Sequence, residues 1–436
     1  MPRVASSSGT SIRKWWAAAR TSLSWLVMIS LGLRITYIVI AHTYKMKTVE
    51  DNFDFGWEMG RIGRALALGQ GFSNPFMGIT GPTAWEPPLY PFLIAGVFKA
   101  FGIYSRASAL VLLSLNSVFS ALNCIPIFVI GKKCFSEKVA VWSAWTWALL
   151  PPIIFWCTRW VWETSLAALL LAVIFWLTLV MEQADDVKRW LGFGLLWGVA
   201  ALTNPSLLSF LPASGLWAWW RRWRQGRRSL GGIGLAAGMF LACIAPWLFR
   251  NYSAFGQPIF IRSNFGAELR LGNGPGANGT WMEYLHPTKN VAQLQLYRSL
   301  GEMAFVAERK REALTFIRED YLRFGGLCLR RFIYYWGGLP HSPDESRLAP
   351  AANSLYLASS LLAFWGLGRS IRKRLPGAWL FFWLMLCFPL VYYLVFPHPR
   401  YRHPIEPELV ILMVYVISEA EKKQQRGRYS ASMLTT

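Results

Sequence analysis

Long stretches of this chain are apolar on every side of any helix they form. From Leu166 to Met181, for instance, nearly every position is Leu, Ala, Val, Ile, Phe or Trp. A segment with no polar stripe has no face for water, and one without period-2 alternation cannot be a strand of an outer-membrane barrel. Such runs predict membrane-spanning helices at about 23–41, 107–131, 139–157, 161–181, 190–203, 205–220, 229–249, 353–368, 376–397 and 404–418. The fifth and sixth share a hydrophobic hairpin around Asn204 and Pro205. Two intervening segments, 42–106 and 250–352, are too long to be simple connectors and carry the Gly, Pro and aromatic residues expected of functional loops.

Within the first loop the pattern predicts a helix over Phe53 to Leu68, with Trp57 and Ile62 on its apolar side, and a second over Leu89 to Phe101, too short to span. Both are expected along the membrane surface. In the second loop, the charges Glu308 to Glu312 predict an exposed helix over Ala304 to Leu322, and the Tyr- and Trp-rich stretch Leu327 to Leu339 reads as interfacial rather than as an eleventh span.

Composition agrees with a lipid environment: of 436 residues 54% are hydrophobic and 16% charged, and the mean hydropathy is +0.30. The net charge of +22 would point to nucleic acid in a soluble chain. Its distribution argues otherwise. The short pieces 1–22, 132–138, 182–189, 221–228, 369–374 and 419–436 hold 22 Lys and Arg, whereas the turns 158–160 and 398–403 hold only Arg159, Arg400 and Arg402. The positive-inside rule then places both ends in the cytoplasm and both long loops outside. The expected organisation is a basic N-terminus at 1–22, a membrane domain at 23–418 and a basic tail at 419–436. The N-terminal apolar run lacks a cleavage pattern and reads as a retained span. The six cysteines form no CxxC pair and read as packing residues.

Four constellations offer chemistry. Glu50, Asp51, Asp54 and Glu58 crowd behind the first span, and a helix from residue 53 would put Asp54 and Glu58 on one face. Such carboxylates can act as a general base or as a solvated helix entrance. Gly69-Gln-Gly-Phe-Ser and Gly81-Pro-Thr-Ala-Trp-Glu-Pro-Pro-Leu-Tyr-Pro predict a rigid loop anchored by Trp85 and Tyr90. The other two are the segment from Arg250-Asn-Tyr to Gly272-Asn-Gly, and Pro397-His-Pro-Arg-Tyr-Arg-His-Pro. Arg250, Arg262, Arg270, Arg400 and Arg402 would share the side of the acidic cluster, where guanidinium forks suit a lipid phosphate or anchor to headgroups. Arg34, inside the first span, is either a snorkelling residue or part of a polar pathway.

The order of these motifs, with Leu202-Thr-Asn-Pro-Ser and Pro246-Trp-x-x-Arg-Asn-Tyr-x-x-Phe-Gly between them, resembles the polyprenyl-phosphate-sugar glycosyltransferases of the GT-C class. It is most similar to the bacterial branch related to protein O-mannosyltransferases and the lipid A aminoarabinose transferase. The resemblance runs from residue 23 to 418. It implies an all-α polytopic enzyme that moves a sugar from a polyprenyl-phosphate carrier to a lipid, glycan or protein acceptor on the periplasmic face of a bacterial inner membrane, with inversion. By the family's pattern the base maps to Asp51 or Asp54, with Glu58 in support. Arg250, Arg400 and Arg402 would meet the phosphate, and Tyr90 or Trp85 would stack on sugar or lipid. Glu86 stands where the aminoarabinose branch has a lysine, so the phosphate must be met elsewhere, and Asn204 replaces the usual arginine of the Leu-Thr-Arg-Pro turn. Glu163 is a further acid, or a helix-start carboxylate favoured by the dipole.

A phosphate leaving group needs no general acid, so one carboxylate and a set of cations suffice for the transfer. His398 and His403 lie beside arginines, which argues against a metal site there, and participation of a divalent cation stays open. Rival readings are a secondary transporter, which would need paired broken helices and ionisable groups in several spans, and a relative of the same fold without activity.

Overall fold

The computed structural model describes residues 22–47, 53–227, 230–340 and 349–434. Among these the chain is helical throughout, and its one extended pairing is an isolated antiparallel bridge between Ser73 and Pro82. Asp51 and Glu50, the basic N-terminus and the extreme C-terminus lie outside the described residues.

Four helices are long and apolar enough to cross a membrane: Leu23–Ile40, Arg106–Cys134, Thr164–Gln183 and Leu230–Phe255. A fifth results if Glu137–Leu149 and Pro151–Arg159, bent by 49° at their junction, count as one span. Ten straight spans are thus not what the described residues show. The reasons are local. Pro389 interrupts the expected span 376–397, leaving Ala378–Cys387 and Leu390–Leu394. Asn204 closes Val187–Thr203, and a 3-10 turn from Pro205 to Phe210 precedes Leu211–Trp223. The eighth expected span, 353–368, sits inside the longer helix Ala349–Arg372, and the tenth falls mostly within Glu406–Leu434.

The bend after Leu149 explains Arg34. A helix that stops ahead of Pro151 leaves carbonyls without amide partners, and in hydrocarbon water cannot replace them. Arg34, fully buried, reaches across from Leu23–Ile40 and donates to the carbonyls of Ala148 and Trp147 at 3.2 and 3.3 Å. Its other hydrogen bonds go to Ser30 and to Ser120 Oγ. Neither a snorkelling residue nor a polar pathway, it caps a broken span. Small residues bring other helices together: a side chain at Gly194 would collide with the Ala236 backbone, so Val187–Thr203 and Leu230–Phe255 pack at close range.

The loop helices follow the sequence pattern. The first loop has a 3-10 turn, Phe53–Phe55, then Trp57–Ala67 and Leu89–Phe101. The second has Phe265–Gly272, Val291–Leu300, Glu302–Glu319 and Tyr321–Gly337. Of the stretch 327–339, residues up to Gly337 belong to that last helix, which is not among the spanning candidates. Its Arg331 is buried and donates to the carbonyls of Tyr393, Leu394 and Gly272, tying the second loop to the segment after Pro389.

Candidate active site

The two long loops are joined by one buried carboxylate. Glu302, at the start of its helix, accepts hydrogen bonds from Thr83 Oγ1, from the Ala84 amide at 2.7 Å, from Ser263 Oγ at 2.7 Å and from Tyr297 at 2.8 Å. These donors fix the strip before Trp85 and Glu86 and the segment carrying Arg262. Arg250 completes the join. Its Nη1 and Nη2 donate to the carbonyls of Thr83 and Phe72, each at 2.6 Å, and its guanidinium lies over the Phe72 and Trp247 rings. Tight turns expose carbonyls, and a guanidinium with five donors satisfies several at once.

Between these loops, the Trp162–Glu163 turn, the Asn204–Ser206 hairpin and the segment 391–401 lies a cavity of about 510 Å³. Of the sequence candidates, Glu58, Trp85, Glu86, Glu163, Arg262 and Arg400 line it. Arg250, Arg402, Tyr90 and Asp54 do not. Arg402 is buried against Glu406 at 2.6 Å, Ser360 at 2.6 Å and Ser359 at 2.5 Å, so its charge is spent inside the bundle rather than on a phosphate. Tyr90 is enclosed and donates to Asn116 at 2.8 Å, which leaves it no face for a sugar. Asp54 is in the 3-10 turn, where its backbone carbonyl accepts from the Val161 amide, and burial raises its carboxyl above the usual range against the pull of Arg159 and Lys47. Gly56, with φ of 79°, makes that approach possible, because a side chain there would strike the Val161 carbonyl.

The cavity wall is strongly acidic. Glu58 accepts from Thr288 Oγ1 at 3.0 Å and faces His286 Nε2 at 3.8 Å. Glu86 pairs with Arg262 at 3.0 Å, and the second carboxylate oxygen, Oε2, is buried without a hydrogen-bond partner among the described residues. Glu163 accepts from Asn204 Nδ2 at 3.1 Å, and there too Oε2 is buried and unpartnered. Glu268 takes the amide of Asn264 at 2.9 Å and stands 3.9 Å from Arg262. Burial pushes Glu86 up to about 8, opposed by Arg262 and reinforced by Glu58, Glu163 and Glu268. Burial likewise raises Glu268 and lowers His286, and it takes His398 down to about 3, helped by Arg400. Both imidazoles are therefore neutral at pH 7.

Beside Arg262, already paired with Glu86, Arg400 is a second cation turned to the cavity. Its guanidinium stacks 3.7 Å from the centre of the Trp162 ring, its Nη2 is 3.5 Å from the Tyr401 hydroxyl, and Nη1 is buried with no partner among the described residues. A buried guanidinium with an unfilled donor is a seat for an anion. Among the described residues no group of three or more His, Cys, Asp or Glu is arranged to hold a metal ion.

Three wall residues were beyond reach from sequence. Asn264 and Glu268 lie within the segment from Arg250 to Gly272, but only the fold turns them inward. His286 lies in an ordinary loop and carries no signal of its own.

Residues 85–249 match the family model of dolichyl-phosphate-mannose-protein mannosyltransferases. Among solved structures, the Archaeoglobus fulgidus oligosaccharyltransferase in its apo form aligns at a TM-score of 0.53 and 14% identity over 97% of this chain and 52% of that one. The fold is GT-C. The same oligosaccharyltransferase tethered to an acceptor peptide with an NVT sequon aligns at 0.51 and 15% identity, over 95% of this chain and 50% of that chain. The chain thus spans about half the length of those structures. ArnT from Cupriavidus metallidurans bound to undecaprenyl phosphate aligns at 0.37 and 12% identity, over 88% of this chain and 77% of that one. None of the curated proteins compared with the chain matches it.

Proposed function

We propose that the protein is an integral membrane glycosyltransferase that takes a sugar from a polyprenyl-phosphate carrier and passes it, with inversion, to an acceptor on the periplasmic face of a bacterial inner membrane. The observation that carries this reading is Arg400, whose unfilled buried donor opens into the same cavity as Glu58 and Glu163. The match of residues 85–249 to mannosyltransferases supports it.

Arg400 holds the carrier phosphate. Glu58, steadied by Thr288 and opposite a neutral His286, accepts the acceptor hydroxyl's proton. The freed oxygen bonds to the anomeric carbon as the carbon–phosphate oxygen bond breaks, its electron pair leaving with the polyprenyl phosphate beside Arg400. A single displacement of this kind inverts the anomeric centre. Asp51 and Asp54, from the same loop, are the alternative bases.

Purified protein in nanodiscs, given radiolabelled polyprenyl-phosphate monosaccharides, is expected to release label from the lipid. Glu58→Gln should lower release by about 10²-fold or more with donor binding retained, the range for a lost general base. A full loss confined to Asp51→Asn or Asp54→Asn would move the base to that residue. No release from any donor, with crude periplasmic acceptor added, would defeat the transferase reading.

A further inference from the structure

At the end of the helix Leu230–Phe255 opposite the one that carries Arg250, a groove of about 520 Å³ opens on the outside of the bundle. Its floor is Gly231, Gly234 and Gly238, and its walls are Leu191, Leu235 and Met239. A side chain built on any of these three glycines would meet no atom within 4 Å, so none of them serves a close approach of helices. By contrast, a side chain at Gly232 would strike the Trp190 ring. Glycine weakens a helix relative to alanine, and here three of them do so only to keep a channel open.

Length and charge identify what fits. From Gly231 to Ala242, which closes the groove, the helix rises about 16 Å. That is close to half of a hydrocarbon core about 30 Å thick, so the groove has the length of one leaflet. Trp190 marks its mouth, with Gly232 against its ring and the Arg222 guanidinium 5.6 Å from the ring centre. On the helix of Arg222 the exposed Trp219 and Trp223 stack on each other, and tryptophans so placed sit at headgroup level. Every acid at this end is matched: Glu182 by Arg221, Asp185 by Arg222 and Arg227, and Asp186 by Arg189. Lys188 and Arg224 remain without an acidic partner among the described residues, and Lys188 shares a helix face with Leu191 of the groove wall. A second copy docked through this groove would set two such basic mouths against each other, like charge to like.

We infer that the groove binds one anionic phospholipid of the adjoining leaflet, its phosphate beside Lys188 and one acyl chain laid along the three glycines. Basic residues beside a gap between spans are suited to such a headgroup, and the uncharged groove suits the chain. A zwitterionic lipid would bring its own ammonium into a mouth that is already positive. The site stands apart from the cavity between the long loops and needs nothing of the transferase reading.

The test is native mass spectrometry of the full chain, released from mixed micelles with equal amounts of dioleoyl phosphatidylglycerol and dioleoyl phosphatidylcholine. A cation near a membrane surface is worth about fivefold in affinity for anionic lipid, so phosphatidylglycerol should be retained at least about fivefold over phosphatidylcholine. Lys188→Glu should erase that preference. Gly234→Leu combined with Gly238→Leu fills the groove with a better helix former and should abolish retention while the helical circular dichroism is unchanged. Equal retention of the two lipids by the unaltered chain would overturn the site. So would a preference that survives the leucine pair, because the lipid would then lie elsewhere. A lipid-free dimer that the leucine pair breaks apart would assign the groove to a second copy and overturn the lipid site equally. Should the leucine pair unfold, Lys188→Glu decides alone, and a preference undiminished in it rejects the site.

Discussion

Glu86 shows how much a single position is governed by what the fold places around it. In the sequence it is one acid ahead of a proline strip; in the structure it meets Arg262 on one oxygen, and the other has no hydrogen-bond partner among the described residues. Because its folded-state value of about 8 lies above the ordinary 4.5, the folded protein holds an extra proton between those limits. Its contribution to stability is therefore fully present below about pH 4.5, falls as pH rises, and is lost once pH passes about 8. Thermal melting in detergent should decline from pH 5 to pH 9, and Glu86→Gln should flatten that decline; an unchanged slope would remove the burial argument. Glu58, Glu86, Glu163 and Arg400 were legible as candidates because acids and arginines are scarce in apolar chains and conspicuous when they occur. Arg250 and Arg402 were equally conspicuous and do other work. The carbonyls of Phe72 and Thr83 that hold Arg250 lie far off in sequence, as do the hydroxyls of Ser359 and Ser360 that hold Arg402 beside Glu406, four residues on.

At the scale of elements, local pattern carried far where a helix is bounded by its own residues. Leu89–Phe101 begins after Pro88 and ends at Gly102, and the expected and observed limits coincide. It carried less far inside the bundle, because apolarity is blind to breaks: the run 376–397 is hydrophobic across Pro389 and helical on either side of it. The bend between Glu137–Leu149 and Pro151–Arg159 has the same origin and a partner to match, Arg34. Arg34→Met keeps the length of the side chain and removes its donors, leaving the Trp147 and Ala148 carbonyls bare. It should cost about 2–3 kcal/mol of stability, seen as a lower melting temperature in detergent. Arg34→Lys, which restores a donor, should recover part of the loss. If Met is tolerated as well as Arg, the capping role fails.

For the molecule as a whole, the charge pattern and the cavity describe one asymmetry. The basic pieces at 132–138 and 221–228 follow one set of helix ends, while every segment lining the cavity belongs to the long loops or to turns at the opposite ends of the expected spans. This predicts that a cysteine placed at the exposed Ile79, in a background lacking the six native cysteines, reacts with an impermeant maleimide added on the non-cytoplasmic side. A cysteine at Arg224, in the basic piece, should react only after the membrane is opened. The reverse result would invert the topology and put the cavity in the cytoplasm. The sequence could state this asymmetry because topology is set by charge counts over short segments. It could not state the shape of the site, because the contacts that register the two long loops, Glu302 with Ala84 and Arg262 with Glu86 among them, join residues far apart in sequence.

The arginine in the first span also sets a condition on biosynthesis. Arg34 leaves the ribosome 113 residues before Trp147, whose carbonyl it serves. At ordinary elongation rates that interval lasts roughly 5 to 20 s. Until Ser120 follows, 86 residues on, the first span holds a cation with only Ser30, on its own helix, to satisfy it. The nascent chain is thus committed to an intermediate that a bare bilayer resists, and the translocon or its associated chaperones must shelter the first span until the third arrives.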